Sequence, residues 1–382
     1  MTLWPAAAPV LFVAVILAAQ HQPSCSRVFR WLPVPLWCYA LPALAVELGW
    51  LPANDPSYHL LTDRLLPIAL GLLLLGADLP SVLRTGGRVL AAALIGTAGI
   101  ILGAALGVWV LRAYLPTDAW KGAGALAGTW TGGTMNLLAL RTVLGMPEPM
   151  FAPLIVVDAV VAYTWMAGLV AASGFQRPIN RWLRASDVAL APPAPAEAAA
   201  AANRGGTALL CAVAAVSLAL GARALAPHLA ASPLVNSATA WAVLLVTTAA
   251  LSLSLIPGIR RIGARGDVLG YPCLYVVLAA TGAQARLGAL WSTPVWLILG
   301  IVIVLVHGLS LLLAGRLLRI PLGLLATASQ ADIGGVVSAP IVGAVYHQSL
   351  APVGLLLAIA GNALGTYFGL LAASCARWVL GN

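Results

Sequence analysis

Long uncharged apolar runs dominate the pattern of residues along this 382-residue chain. No charge lies between Arg88 and Arg112 or between Arg286 and Arg316, and each stretch exceeds the roughly 20 residues that a membrane-spanning helix needs. Such runs are too long for strands and too uniform for amphipathic surface helices. The pattern predicts twelve apolar helical segments, near 4–20, 32–50, 62–82, 89–113, 122–142, 150–173, 206–224, 235–256, 268–286, 291–315, 322–345 and 351–378.

One polar, proline-rich stretch interrupts this pattern near the middle of the chain. It contains the sequence APPAPAEAAAAAN at Ala191–Asn203, and its ends are too polar for a membrane span. Alanine- and proline-rich sequence of this kind is typical of a linker. We therefore expect a first transmembrane repeat at 1–173, a cytoplasmic linker at 174–205 and a second transmembrane repeat at 206–382.

The two predicted halves carry the same landmarks in the same order. Gly132-Gly133 corresponds to Gly334-Gly335, Asp158 to Asn362, and GLVAAS from Gly168 to GLLAAS from Gly369. Partners are separated by 201 to 206 residues throughout. A collinear series of this kind predicts an internal duplication.

Two membrane topologies agree with the positive charges. If all twelve segments cross, the halves are parallel; if 122–142 and 322–345 enter and return, the halves are inverted. In both cases thirteen of the 20 Lys and Arg lie on the side of the linker, which places it in the cytoplasm. The Gly-rich, short polar sequence around each Gly-Gly favours broken helices, which membranes tolerate where protein or a wet cavity surrounds them.

The expected fold is therefore an all-α polytopic membrane protein with two inverted repeats. Each repeat has about five spans plus a broken or re-entrant Gly-Gly helix, as in NhaA-like and bile-acid-symporter-like folds. Composition agrees, because 61% of residues are hydrophobic and 8% are charged, against about 25% in soluble domains. The net charge of +9 is spread singly over short loops, which is typical of topogenic charge and not of nucleic-acid binding.

The Gly-Gly pairs are the predicted substrate site. Broken helices offer positive half-helix N-termini to an anion and free carbonyls to a cation. Close packing of small residues is the alternative explanation. The candidate substrate-binding residues are Thr131, Gly132, Gly133, Thr134, Asn136, Gly334, Gly335 and Ser338.

Asp158 is the sharpest candidate for ion coupling. An ionised carboxylate deep in an apolar segment costs at least about 2.5 kcal/mol without a partner, so such residues mark ion or proton pathways. With Asn136 and Asn362, Asp158 would bind a transported Na⁺; alone, it would carry a proton. A purely structural hydrogen bond to a neighbouring helix is the alternative explanation. Asp332 and Gln330 complete the ion-coupling set, although a helix terminus alone would stabilise Asp332. His307 is expected to be a neutral packing residue.

Several motifs are missing from the sequence. It has no Walker motif, GxGxxG or HExxH, and no CxxC among its five cysteines. We therefore expect no ATP-driven pump, no enzyme, no cofactor and no resident metal. The expected partners are the lipid bilayer and a small-molecule or ion substrate, with a homodimer left open.

The segments GTWTGGTMNLLAL from Gly128, ASQADIGGVVSAPIVGAV and GNALGTYFGLL resemble a family of uncharacterised membrane proteins. The family is known as domain of unknown function 819, and some members are called YjcL-like. More distantly, the Gly-Gly segments resemble those of glutamate and citrate sodium symporters, and LLPIALGLLLLGADL resembles a helix of bile acid sodium symporters. These resemblances imply an inverted-repeat fold and cation coupling. The family pattern has Pro and Asn where this chain has Val336 and Asp332.

The predicted function is secondary active transport by alternating access, as sodium- or proton-coupled symport of a small organic anion. A core domain with the broken helices would move against a panel domain. A cation/proton antiporter is the near alternative, and a non-transporting receptor or intramembrane enzyme is the alternative of another class. The expected location is a bacterial cytoplasmic membrane. The substrate, the coupling ion, the direction of transport and the full crossing of the Gly-Gly helices stay open.

Overall fold

The described part of the chain is built from helices. A computed structural model describes residues 4–22, 29, 34–53, 55–78, 80, 86–185, 204–229, 235, 237–284 and 293–381. No strand occurs within these ranges. The all-α prediction is therefore confirmed for them, whereas most of the predicted linker, including Ala191–Asn203, lies outside the described residues.

Sixteen α-helices occur among the described residues. The first eight are α1 Trp4–Gln20, α2 Val34–Glu47, α3 Pro56–Leu74, α4 Gly87–Leu111, α5 Ala119–Gly132, α6 Thr134–Val143, α7 Glu148–Ala172 and α8 Gln176–Leu183. The others are α9 Arg204–Leu225, α10 Ala238–Ser254, α11 Pro257–Gly263, α12 Asp267–Gly282, α13 Thr293–Leu318, α14 Leu322–Ile333, α15 Gly335–Tyr346 and α16 Leu350–Val379. Helix α8 lies inside the stretch predicted as a linker.

Five of the described helical stretches are long and apolar enough to cross a bilayer. They are Gly87–Leu111, Glu148–Leu183, Thr207–His228, Thr293–Leu318 and Leu350–Val379. A sixth results if α10 and α11, which are bent by 118° relative to each other, form one broken span. The chain is therefore an integral membrane protein, and the predicted ten or twelve segments remain a prediction because several apolar helices are shorter than 18 residues.

The chain forms two compact units. The first comprises Met1–Ala77, Arg141–Ala159 and Ala201–Thr293. Within it, α3 packs against α9, α10 and α12, and α12 also packs against α2. Glycines permit the close contacts, since a Cβ on Gly71 would lie 3.2 Å from the Cβ of Ala215.

The second unit comprises Asp78–Leu140, Val160–Ala200 and Pro294–Asn382. Here α16 packs against α4, α5, α14 and α15, and α4 also packs against α5 and α14. This unit therefore contains α5 and α14, the two helices that end at a Gly-Gly pair. Each unit draws segments from both predicted halves of the chain.

Candidate functional site

The first Gly-Gly pair breaks a helix within the second unit. Helix α5 ends at Gly132, α6 begins at Thr134, and Gly133 between them has φ +75° and ψ 176°. L-residues with a side chain rarely adopt this conformation, so the break requires glycine. Gly133 and Thr134 are partly exposed, whereas Thr131 and Asn136 on either side are buried.

Asn136 links this break to α16 by hydrogen bonds. Its Nδ2 donates to the carbonyl oxygen of Gly132 and, over 3.1 Å, to the backbone oxygen of Asn362. Its Oδ1 accepts a 2.6 Å hydrogen bond from the hydroxyl of Thr366. Because both amide hydrogens and the oxygen have partners, this side chain, 1% exposed, holds the start of α6 against α16.

Small residues bring α5 and α16 close together. A Cβ on Gly132 would lie 2.6 Å from the carbonyl oxygen of Gly361, and one on Gly124 would lie 2.8 Å from that of Gly369. Glycines at every fourth position, Gly124, Gly128 and Gly132, thus contact the backbone of α16. The packing role that small residues favour is present here together with the break.

The second Gly-Gly pair separates α14 from α15. Gly335 has φ +69°, and nothing lies within 4 Å of a Cβ built on it, so open space adjoins the break. The side chain of Gln330 crosses Gly334 and donates from Nε2 to the hydroxyl of Ser338 over 2.8 Å. The Oε1 of Gln330 is buried and has no hydrogen-bond partner among the described residues.

Asp332 lies two residues before Gly334 and is 6% exposed. Its Oδ1 accepts a long hydrogen bond, 3.4 Å, from the hydroxyl of Thr97 on α4. Its Oδ2 has no hydrogen-bond partner in the described part of the chain and rests against Gly96, where a Cβ would collide with it. This carboxyl therefore occupies a position that only the glycine at 96 leaves open.

His307 on α13 connects four helices beside Asp332. Its Nδ1 lies 2.8 Å from the carbonyl oxygen of Gly96, and its Nε2 lies 2.8 Å from the hydroxyl of Ser329 on α14. The indole Nε1 of Trp165 on α7 donates to the same hydroxyl over 2.8 Å. Both ring nitrogens thus have partners, as expected for a buried packing histidine.

The structure separates the predicted ion ligands between the two units. Asn136 and Asn362 lie together in the second unit, where a Cβ on Gly133 would be 3.2 Å from the Oδ1 of Asn362. Asp158 lies on the part of α7 that belongs to the first unit and is half-buried. No group of three or more His, Cys, Asp or Glu among the described residues has the geometry to hold a metal ion.

Trp130 is a candidate that sequence reasoning missed. It is fully buried, and its Nε1 has no hydrogen-bond partner among the residues that the structure describes. It lies two residues before Gly132, just as Asp332 lies two residues before Gly334. A comparison of the positions two residues before each Gly-Gly pair would have identified Trp130 from the sequence. The Thr131 hydroxyl, by contrast, bonds back to the carbonyl oxygen of Ala127 over 2.8 Å.

Comparison with known proteins places most of the chain in one group. The family described as "Protein of unknown function (DUF819)" matches residues 8–379. An uncharacterized membrane protein, YjcL of Bacillus subtilis (strain 168), is 26% identical over 113 residues. That match covers 29% of this chain and 28% of the relative.

Proposed function

We propose that this chain, which belongs to the DUF819 family of proteins of unknown function, is a secondary transporter that couples a small organic anion to a cation. The observation that carries the proposal is the pair of helices broken at Gly133 and Gly335 within one compact unit. Irregular backbone inside a membrane is tolerated where it lines a cavity, and transporters bind their substrates at such breaks.

The anion is proposed to bind at the half-helix N-termini. Helix α6 begins at Thr134 and α15 at Gly335, and each helix terminus carries about half a positive charge. The break residues Gly133, Thr134 and Gly335 are partly exposed. Two residues before Gly132, the N–H of Trp130 has no acceptor among the described residues. Peptide N–H groups and an indole N–H are suitable donors to a carboxylate.

The two breaks support the proposed inverted repeats. Gly133 and Gly335 occupy equivalent places in the two halves, and each break is bridged by the side chain four residues after its first glycine. At the first break this side chain is Asn136, and at the second it is Ser338. In the proposed cycle, the unit that contains both breaks exposes them alternately to the two sides of the membrane.

The coupling cation is proposed to bind through Asp158, a carboxylate within an apolar segment of the first unit. In the second unit, Asn362 offers a neutral oxygen beside the first break. The side chain of Asn362 is partly exposed next to Gly133 and makes no hydrogen bond within the described residues. Its oxygen is therefore open to a ligand, unlike that of Asn136, which Thr366 occupies. Sodium and a proton are the two cations to be compared.

Thermal unfolding of the detergent-purified protein tests the proposal. Melting is compared in Na⁺, K⁺ and choline at fixed ionic strength and several pH values. The proteins are the unsubstituted chain, Asp158→Asn, and Asp118→Asn, which removes an exposed charge from a surface ion pair with Lys121. A ligand at a hundred times its dissociation constant adds about 2.7 kcal/mol of stability. We expect a cation-dependent increase that Asp158→Asn abolishes and Asp118→Asn preserves.

Small organic anions are then screened in the stabilising cation. An anion that stabilises the protein further and moves into proteoliposomes supports symport. Exchange of a cation for a proton without any anion indicates the antiporter. Binding without movement indicates a receptor, formation of a product without a gradient indicates an enzyme, and either result refutes the transport proposal.

A further inference from the structure

The carboxyl group of Asp332 lies in the protein interior and has no positively charged partner among the described residues. It receives one hydrogen bond, from Thr97, and its Oδ2 has none within the described residues. An ionised carboxylate that is buried and unpaired is strongly destabilising. Its charge must therefore be removed in at least part of the functional cycle, either by a proton or by a bound cation.

The neighbouring histidine does not supply the missing charge. Since a carbonyl oxygen only accepts, the Nδ1 of His307 carries the hydrogen that it donates to Gly96. Its Nε2 then accepts from the hydroxyl of Ser329, whose oxygen in turn accepts from Trp165. In this arrangement every polar atom is satisfied with a neutral imidazole, and the ring presents its Cε1 toward the side of Gly96 where Asp332 lies.

The helices that contact α14 carry other ionisable groups. Tyr346 of α15 donates its hydroxyl hydrogen to the carbonyl oxygen of Leu169. Among the described residues, Asp332 forms no ion pair or hydrogen bond with these groups. They are Arg88 of α4, Lys121 of α5, Tyr163 of α7, Arg177 and Arg181 of α8, Arg316 of α13, and Tyr367 and Arg377 of α16.

The surroundings of Asp332 fit a proton better than a metal cation. Hard cations such as Mg²⁺ and Ca²⁺ take about six or more oxygen ligands. Beside Asp332 the structure offers the Thr97 hydroxyl, while the Gly96 carbonyl and the Ser329 hydroxyl are already bonded to His307. Oδ2 lies close to Gly96 and has no hydrogen-bond partner among the described residues. A proton needs only Oδ2 itself.

We infer that Asp332 is a proton-binding site whose protonation promotes binding of an anion at the neighbouring break. This inference rests on the proposed transport function and adds a proton site at Asp332 to the cation site proposed at Asp158. The proton comes from water through the partly exposed residues at Gly334 and Gly335, bonds to Oδ2, and returns to water on the other side of the membrane. The neutral carboxyl no longer repels an anion at the N-terminus of α15. Because such coupling is reciprocal, the anion in turn favours the protonated form, which gives proton symport.

Infrared difference spectroscopy between acid and alkaline buffers tests the proton site on the full chain in lipid nanodiscs. We expect the carbonyl band of an unhydrated protonated carboxyl in acid, and its loss in alkaline buffer. The band should be absent from Asp332→Asn and present in Asp118→Asn, which removes an exposed carboxylate.

The Thr97 hydroxyl provides a second, independent readout. Thr97→Val removes the donor to Oδ1 and should shift the band to higher wavenumber, whereas Thr97→Ser should leave its position unchanged. These two Thr97 variants show whether the band belongs to Asp332 even if Asp332→Asn fails to fold. A titrating band that neither substitution changes would overturn the inference. So would a band that Na⁺ removes at constant acid pH, because Na⁺ would then occupy the carboxyl.

The spectroscopy uses no substrate, so its result is separate from that of the transport proposal. If Asp332 titrates but proteoliposomes move no anion, the proton site stands and the transport proposal fails. If an anion moves with Na⁺ alone and the band is insensitive to Asp332→Asn, transport stands and the proton inference fails. Tighter anion binding in acid, lost in Asp332→Asn, would connect the two.

Discussion

Replacing Asn136 by alanine should destabilise the protein more than most polar substitutions in its helices. The amide makes three hydrogen bonds, to Gly132, to the backbone of Asn362 and from Thr366, and it is almost fully buried. Hydrogen bonds between membrane helices contribute about 0.6 kcal/mol each on average and at most about 1.7. Buried polar groups that the substitution leaves without a partner lower the free energy of unfolding further. We therefore expect Asn136→Ala to lower the free energy of unfolding by about 2–4 kcal/mol.

The assay is reversible unfolding in mixed detergent micelles, with Asn362→Ala as the matched control. Asn136 bonds to the backbone oxygen of Asn362, which alanine keeps, and the side chain of Asn362 is partly exposed. The control should therefore cost less than about 1 kcal/mol, because substitutions that remove no buried hydrogen bond usually change stability by about 0.5 kcal/mol or less. Equal destabilisation by the two substitutions would refute this description of the first break, as would a negligible effect of Asn136→Ala.

The same unfolding assay checks three further predictions. Gly335→Ala places a side chain at φ +69° and should lower the free energy of unfolding by about 1–2 kcal/mol, although nothing lies within 4 Å of the new Cβ. As a control, Gly168→Ala on α7, where a Cβ also meets open space, should leave stability unchanged or raise it. Asn180→Ala removes the oxygen that accepts from the N–H of Leu322 at the start of α14, and should cost about 1 kcal/mol, most of which Asn180→Asp should restore. Ser329→Ala leaves the Nε1 of Trp165 and the Nε2 of His307 without their hydrogen-bond partner, and should cost about 2 kcal/mol. An unchanged stability would show that this chain of hydrogen bonds does not form.

The breaks at Gly133 and Gly335 were predictable from sequence because their cause is local. A left-handed backbone conformation within an apolar segment requires glycine, and flanking short polar residues mark the same place. The helical class and the membrane location follow equally directly from the uncharged apolar runs. These features depend on neighbouring residues, which the sequence shows side by side.

The partners of the polar side chains were not predictable, since they depend on packing between distant segments. Asn136 meets Thr366 across 230 positions, and Thr97 meets Asp332 across 235. A threonine in an apolar helix commonly donates to the backbone of its own helix, as Thr131 and Thr327 do here. The sequence therefore could not show that Thr97 and Thr366 bond to side chains of other helices. The grouping of Asp158 with Asn136 and Asn362 remains a prediction, because Asp158 belongs to the other compact unit.

The bend between α10 and α11 is a feature that the sequence did not predict. The uncharged stretch at 235–256 predicted one continuous segment, and α10 does end at Ser254 near its boundary. Helix α11 then begins at Pro257 and departs by 118°. Proline fixes the start of a helix but not the direction that the helix takes, which packing within the unit determines.

The most direct test of coupled transport is accumulation of a small organic anion in proteoliposomes. Anions that stabilise the purified protein are supplied outside, with an inward proton gradient, an inward Na⁺ gradient, or neither. We predict that at least one of them accumulates above its external concentration under the proton gradient, and that Asp332→Asn abolishes this accumulation. If anions that bind the protein fail to accumulate under either gradient, the chain is not a cation-coupled symporter.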